Sequence, residues 1–352
     1  MTPGADRSGT AALSLCVGVE RWPIRGGFTI ARGAKGSADV VAVTLTDASG
    51  HYGRGEAVPY ARYGESLEGV TAAIEALRPA LADGLDRCGL QTALPAGAAR
   101  AAVDAAFWDL DARRQGRPVW QIADLDAPQP IRTARTIALA EPETMARAAA
   151  ALSPSAETLL KLKLGRPDTD AERLSAVRAA APEARLVVDV NEGWSRDDLA
   201  RLGPVCADHG VDLLEQPLPA DDRGPVRAPV PLCADETFQG TDPLATLPAG
   251  YDAVNLKLDK AGGLTGAWAL LAAVEARGLS IFLGCMVATS LALAPAMMLA
   301  SRARWVDLDG AWLLDTDRAP GLAYDAAGWV SYPAHGLWGD GAPGPLPVSS
   351  GL

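Results

Sequence analysis

A chain of 352 residues, 49% hydrophobic with a mean hydropathy of +0.07, can bury two modest cores or one barrel with an attached cap. Its formal charge of −11 and pI near 4.8 argue against a nucleic-acid backbone as partner. No run of about 18 uninterrupted apolar residues suggests a membrane span, and MTPGADRSGTAALS lacks the pattern of a secretory signal, so a soluble, cytoplasmic chain is expected.

Residues 1–10 and the tail GDGAPGPLPVSSGL read as loose ends, rich in Gly, Pro and Ser. Between about 12 and 58, strands are predicted in ALSLCVGVERWPI, DVVAVTLTD and GRGEAVP, with a turn at ASGHYG. From Ser66 to Gln121 the pattern becomes helical, in GVTAAIEALRPALADGL and then PAGAARAAVDAAFWDLDARRQG, which stops at Gly116-Arg117-Pro118. Strands followed by a run of helices suggest a separate α+β domain, over 12–125.

Beyond about residue 130, short apolar strands alternate with Ala-rich helices. The candidates are RTARTIALA, TLLKLKLG, ARLVVDVNEG, VDLLEQPLP, VPLCADET, DAVNLKLDK, SIFLGCMVA and RWVDLDG. Their landmarks Thr136, Lys163, Asp189, Glu215, Asp235, Lys257, Cys285 and Asp307 are separated by 20 to 28 residues, the spacing of βα units. An open doubly wound sheet is the alternative, but no Gly-rich phosphate turn follows the first strand. A parallel α/β barrel over 126–320 is expected.

The chemistry must come from lysines and carboxylates. Cys16, Cys88, Cys206, Cys233 and Cys285 are odd in number and show no CxxC, and His51, His209 and His335 show no acid/His spacing. Asp189, Glu215 and Asp235 end three consecutive apolar runs, which a parallel barrel brings to one rim. Single acids at strand ends are commonly turn residues or helix caps. Three in successive units point to a hard cation, magnesium or manganese, since they repel one another without one. In TLLKLKLG, alternation puts Lys161 and Lys163 on one face, while a solvated edge strand is the simpler reading of an isolated KxK. Lys257 follows on the far side of the carboxylates. The pattern suits a 1,1-proton transfer, in which one lysine takes an α-proton from a substrate carboxylate bound at the cation and the opposite lysine returns it through an enediolate. Neighbouring positive charge is expected to lower the lysine pKa toward the range of a base.

The motifs FTIARG, EAVPYARYGES, LPAGAARAAVDAAFWDL, KLKLG, DVNEGW, LLEQPLP, CADET, VNLKLDKAGGL, LGCMVATS and DLDG, in this order, resemble the enolase superfamily. Within its muconate-lactonizing subgroup they are similar to the dipeptide epimerases of the L-Ala-D/L-Glu type. The resemblance implies a (β/α)7β-type TIM barrel with an α+β N-terminal cap completed by the C-terminal segment 321–352. It implies magnesium (or manganese) on Asp189, Glu215 and Asp235, and acid/base roles for Lys163 and Lys257. Lys161 would neutralise the substrate carboxylate, with Thr136 and Cys285 at substrate-contact positions, Cys285 through its backbone. Asp307 and Asp309 would bind the dipeptide ammonium group, and Arg32, in the cap loop FTIARGAKGS, the glutamate side chain. Alternation along the sixth strand places Lys260, the competing lysine, on the face opposite Lys257, as a structural residue or one that supports the site from behind. The segment WPIRGG departs from the family pattern.

The implied partner is a small-molecule dipeptide, with no nucleic acid or membrane and with homo-oligomerisation left open. o-Succinylbenzoate synthase, N-succinylamino acid racemase and muconate cycloisomerase share the skeleton, and DLDG separates them, since their substrates lack a free ammonium group. A non-catalytic metal-binding barrel is disfavoured by the two opposed lysines.

Overall fold

The computed structural model describes residues 12–152, 157–240 and 242–342. Residues 1–10, and the tail from residue 343 onward, lie outside the described residues. The N-terminal strands β1 (Leu13–Ile30) and β2 (Gly33–Asp47) form a long antiparallel hairpin whose register shifts between Pro23 and Phe28, and β3 (Tyr52–Ala57) pairs with β2. Alternate residues of β2 (Val41, Val43, Leu45) are buried. They face α1 (Leu67–Glu75), α2 (Arg78–Ala82), α3 (Arg87–Ala93) and α4 (Ala98–Gln115). The stretch GVTAAIEALRPALADGL is therefore two helices: Pro79 stands at the start of α2, where its missing N–H costs nothing. α4 lies directly on β3 because Gly53 and Gly55 have no side chain. A Cβ on either would strike the backbone of Ala106 or Ala102.

The short α5 (Val119–Ile122) and β4 (Ile131–Arg132) lead to the barrel. Its parallel strands are β5 (Arg135–Ile137), β6 (Leu159–Lys163), β7 (Arg185–Asp189), β8 (Val211–Glu215), β9 (Leu232–Ala234), β10 (Ala253–Leu256), β11 (Ser280–Gly284) and β12 (Trp305–Asp307), hydrogen-bonded in chain order. Hydrogen bonds also bridge the remaining gap: Ala134 N–H donates to the Val306 carbonyl at 2.8 Å, and Leu308 N–H to Thr133 Oγ1 at 2.7 Å. The outer helices are α6 (Pro142–Leu152), α7 (Asp170–Ala180), α8 (Arg196–Asp208), α9 (Leu258–Ala261), α10 (Leu264–Ala276) and α11 (Ser290–Met297). Among the described residues the β8–β9 and β9–β10 connections carry no helix. Pro217, Pro219, Pro225, Pro229 and Pro231 explain the first, since each withholds a backbone donor.

The barrel floor is a buried plug of Ala134, Leu159, Val187, Leu213, Cys233, Ala253, Phe282 and Trp305, one residue per strand line. Beyond the barrel, β13 (Ala323–Tyr324) pairs with β14 (Trp329–Ser331), which pairs with β4. The chain then returns to the cap, where the Trp338 indole donates to the Ala105 carbonyl at 2.9 Å and Gly339 N–H to Asp109 at 2.7 Å. Among the described residues no helix is long and apolar enough to cross a membrane.

Candidate active site

Side chains alternate along a strand, so the residue two beyond each plug residue also faces inward, one layer nearer the cap. Those residues are Thr136, Lys161, Asp189, Glu215, Asp235, Asn255, Gly284 and Asp307. A further step of two reaches Lys163, Lys257 and Asp309. One layer of a barrel thus changes from wholly apolar to almost wholly polar. Lys161 is 1% exposed, whereas Lys163 and Lys257 are each 8% exposed, so these two look out toward the mouth.

The charges are interleaved. The Lys161 ammonium lies 2.7 Å from Glu215 Oε2, 2.7 Å from Asp307 Oδ2 and 3.2 Å from Asp189 Oδ2. Lys163 reaches Asp189 at 2.6 Å and Lys257 reaches Asp235 at 2.7 Å. β6 and β10 are four strands apart in the eight-stranded order, so Lys163 and Lys257 stand on opposite walls. Asp309 accepts from Thr136 N–H at 2.7 Å, which ties the last strand to the first. Cys285 is the first residue past β11, half-buried, its thiol next to Gly310.

Two expectations need correcting. Lys260 does not point away: its buried ammonium donates to Asp235 Oδ1 at 2.7 Å and to the Asp235 carbonyl at 2.8 Å. The strand ends at Leu256 and Lys257 opens α9, so two-residue alternation no longer applies three positions later. Nor is the Lys257 pKa lowered. Burial disfavours its charge, but Asp235 and Glu215 outweigh burial and the repulsion of Lys161, holding it above the ordinary lysine range. Lys161 is likewise held up against burial by Asp307, Glu215 and Asp189. Lys260 alone of these is lowered, chiefly by burial.

Arg32 reaches from the β1–β2 hairpin across to the barrel. It donates to the Asn191 carbonyl at 2.8 Å, Glu192 at 3.0 Å, the Tyr60 hydroxyl at 2.8 Å and Glu236 at 2.6 Å. It is thus a brace between cap and barrel as well as a cation at the mouth. Asn255, Glu236 and Lys260 complete the polar cluster and were not singled out from the sequence as site residues. The Asn255 amide donates to Glu215 Oε1 at 2.6 Å, and it was discoverable, lying two residues before Lys257 on the same strand face. Trp194 is a packing residue whose indole donates to Asp170 at 2.9 Å.

Among the described residues no three His, Cys, Asp or Glu side chains close on a point at ligating distance. Each of the three strand-end carboxylates stands on a lysine instead. Their donor set still fits a hard divalent ion. All three are buried carboxylates from adjacent strands, and Glu215 Oε2 meets only the Lys161 ammonium, outside hydrogen-bond geometry. Glu215 is pushed up to about 8 by burial and by the neighbouring Asp189 and Asp235, the mark of carboxylates crowded together. Asp189 and Asp235 are held well below the carboxylate range: burial opposes this, but Lys163 and Lys161 prevail at the first, Lys257 and Lys260 at the second.

Opposed lysines and clustered strand-end carboxylates thus lie under an α+β cap at one mouth of a parallel barrel. Comparison with known proteins gives the family. Residues 12–123 match the mandelate racemase/muconate lactonizing enzyme N-terminal domain, and residues 143–336 the enolase C-terminal domain-like family. The chain is 44% identical to the L-Ala-D/L-Glu epimerase of Escherichia coli (strain K12), over 87% of this chain and 95% of that protein. It is 41% identical to an N-acetyl-D-glutamate racemase of a Pseudoalteromonas species, over 85% and 95% respectively. Among solved structures, an enolase family member from Agrobacterium tumefaciens with homology to dipeptide epimerases, holding sodium and L-Ala-L-Glu, superposes with a TM-score of 0.87 at 47% identity, over 93% of this chain and 100% of that one. The chain belongs to the enolase superfamily. It is an isomerase, a racemase or epimerase acting on amino acid derivatives.

Proposed function

We propose that the chain is a magnesium-dependent dipeptide epimerase that inverts the α-carbon of the C-terminal residue of Ala-Glu dipeptides by a two-lysine 1,1-proton transfer. The observation that carries the reading is the placement of Lys163 and Lys257 on opposite walls, with the carboxylate cluster between them. A base on each face of one carbon is what inversion needs and elimination does not.

Asp189, Glu215 and Asp235 would hold the ion. When bound, it would withdraw charge from the substrate carboxylate, acidifying the α C–H, and would occupy the carboxylates that otherwise keep Lys257 protonated. Lys161, at the centre, would offset the remaining negative charge. One of the opposed lysines, as the amine, takes the α-proton, and the other, as the ammonium, delivers its proton to the far face; exchange with water resets both. Asp307 and Asp309, on the wall that Lys161 faces, would receive the dipeptide's ammonium group. Asp307 Oδ1 is buried without a hydrogen-bond partner, an acceptor available for it. At the opposite end Arg32 would meet the glutamate side chain, joining the carboxylates of Glu192 and Glu236 already around it.

The 41% identical relative named for N-acetyl-D-glutamate favours testing an N-acylated substrate as the second reading. L-Ala-L-Glu, other dipeptides and N-acetyl-glutamate, incubated with the enzyme and magnesium in deuterated water, distinguish the two by mass shift. The proposal expects deuterium in L-Ala-L-Glu, with epimer formation. Turnover of N-acetyl-glutamate with none of any dipeptide would overturn it.

A further inference from the structure

The two opposed lysines are held in different ways. Lys163 is the last residue of β6, in register with Asp189 of β7. The residues after it bond within the barrel, Leu164 N–H to the Asp189 carbonyl at 2.9 Å and Gly165 N–H to Asp170 at 2.8 Å. The cap meets Lys163 by packing alone: its ammonium lies over the Phe28 ring, 5.9 Å from the centroid, and Ala31 lies against Gly165. Lys257 lies one residue past the last paired residue of β10, Leu256. Its backbone is fixed by α9, whose Lys260 and Ala261 N–H groups donate to the Lys257 carbonyl at 3.1 and 3.0 Å.

That short helix is fastened to the cap. Asp259 accepts from Val58 N–H, just past β3, at 2.8 Å. Arg100 of α4 donates to the carbonyls of Ala261 at 2.9 Å and Gly262 at 3.3 Å, and Asp104, one turn on, accepts from Thr265 N–H at 3.1 Å. Gly262 and Gly263 have φ of +75° and +100°, and a Cβ on either would strike the Arg100 guanidinium or the Asp104 carboxylate. Beside these contacts a cavity of about 320 Å³ separates the rest of the turn from the cap, lined by Gln91 and Arg100 on the cap side and by Lys257, Lys260 and Thr265 on the other. On the barrel side Lys260 ties the turn to Asp235.

We propose that Asp259 and Arg100 are positioning residues for Lys257: through them the capping domain hydrogen-bonds the backbone turn that aims one of the two opposed lysines, whereas the backbone of the other is hydrogen-bonded within the barrel. The inference rests on the two-lysine reading above. Its consequence is asymmetric. Loosening α9 displaces the group that serves one face of the α-carbon, and a shift of about 1 Å at a reacting group can cost about 100-fold in rate. The face served by Lys163 keeps its base. Overall epimerisation needs both lysines and falls whichever is displaced, so the informative quantity is α-proton exchange, measured separately on L-Ala-L-Glu and L-Ala-D-Glu in deuterated water with magnesium.

Lys163→Ala and Lys257→Ala first identify which isomer each lysine deprotonates. Asp259→Ala and Arg100→Met are then expected to lose at least about tenfold in exchange of the Lys257 isomer while keeping the other within about twofold. Asp259→Asn, which retains the acceptor oxygen, should restore both, a rescue that general loss of folding would not show. Equal slowing of the two isomers in both variants, or no slowing in either, overturns the positioning role while the two-base reading stands. Lysine variants that fail to separate the isomers overturn both.

Discussion

Replacing Lys161 by methionine keeps most of the side-chain volume and removes the central charge of the site. Three buried carboxylates then lose the cation that lies 2.7 Å from Glu215, 2.7 Å from Asp307 and 3.2 Å from Asp189. Breaking a buried ion pair from one side costs about 3–5 kcal/mol, because the partner is left charged in a poor solvent. Glu215 softens this, since it is already pushed up to about 8 and accepts a proton near neutrality, so we expect the lower end, about 3 kcal/mol. The sign with pH follows from the shifts. Lys161 is raised in the folded state, so its stabilisation is complete below the ordinary lysine pKa and constant across neutral pH. In the variant the orphaned carboxylates bind protons more tightly folded than unfolded, so its stability drops as pH rises. Urea unfolding of both proteins at about pH 5 and about pH 8 should show a deficit that grows toward the higher value. A deficit below about 1 kcal/mol at about pH 8, or one largest in acid, would refute the assignment of Lys161 as the central counter-charge.

Arg32→Met should lower kcat/KM for L-Ala-L-Glu about 10- to 100-fold, the worth of a charged hydrogen bond, and affect dipeptides with an apolar C-terminal residue less; equal losses across substrates would reduce Arg32 to a brace. Lys260→Met should cost about tenfold or more in kcat with a modest change in melting temperature, because Asp235 loses two hydrogen bonds and the active-site edge loses a cation. Chelation with EDTA should abolish exchange and magnesium restore it, and Asp235→Asn should weaken magnesium binding measured by calorimetry; full activity of stripped protein contradicts the metal reading.

Most of the barrel was readable because strand-end polar residues recur at βα spacing, and a two-residue period then carries each of Lys161, Asp189, Glu215 and Asp307 inward. The prediction failed where that period stops. Lys260 lies three residues beyond Lys257 inside a helical turn, and helical geometry returns its side chain to Asp235. Charge was harder to read than position. Neighbouring lysines suggested lowered pKa values, but the balance at Lys257 is set by Asp235 and Glu215, whose approach is a matter of three-dimensional register. The seam between α4 and the Lys257 turn was invisible for the same reason: Arg100 and Gly262 are distant in sequence, and nothing local to either announces the other.

The central claim is that Lys163 and Lys257 serve opposite faces of one α-carbon. Proton NMR of L-Ala-L-Glu and L-Ala-D-Glu in deuterated water, with Lys163→Ala and Lys257→Ala, tests it most directly. Each variant should lose epimerisation and still exchange the α-proton of a single isomer, a different one for each variant. Exchange of the same isomer by both variants, or epimerisation surviving in either, would contradict the account.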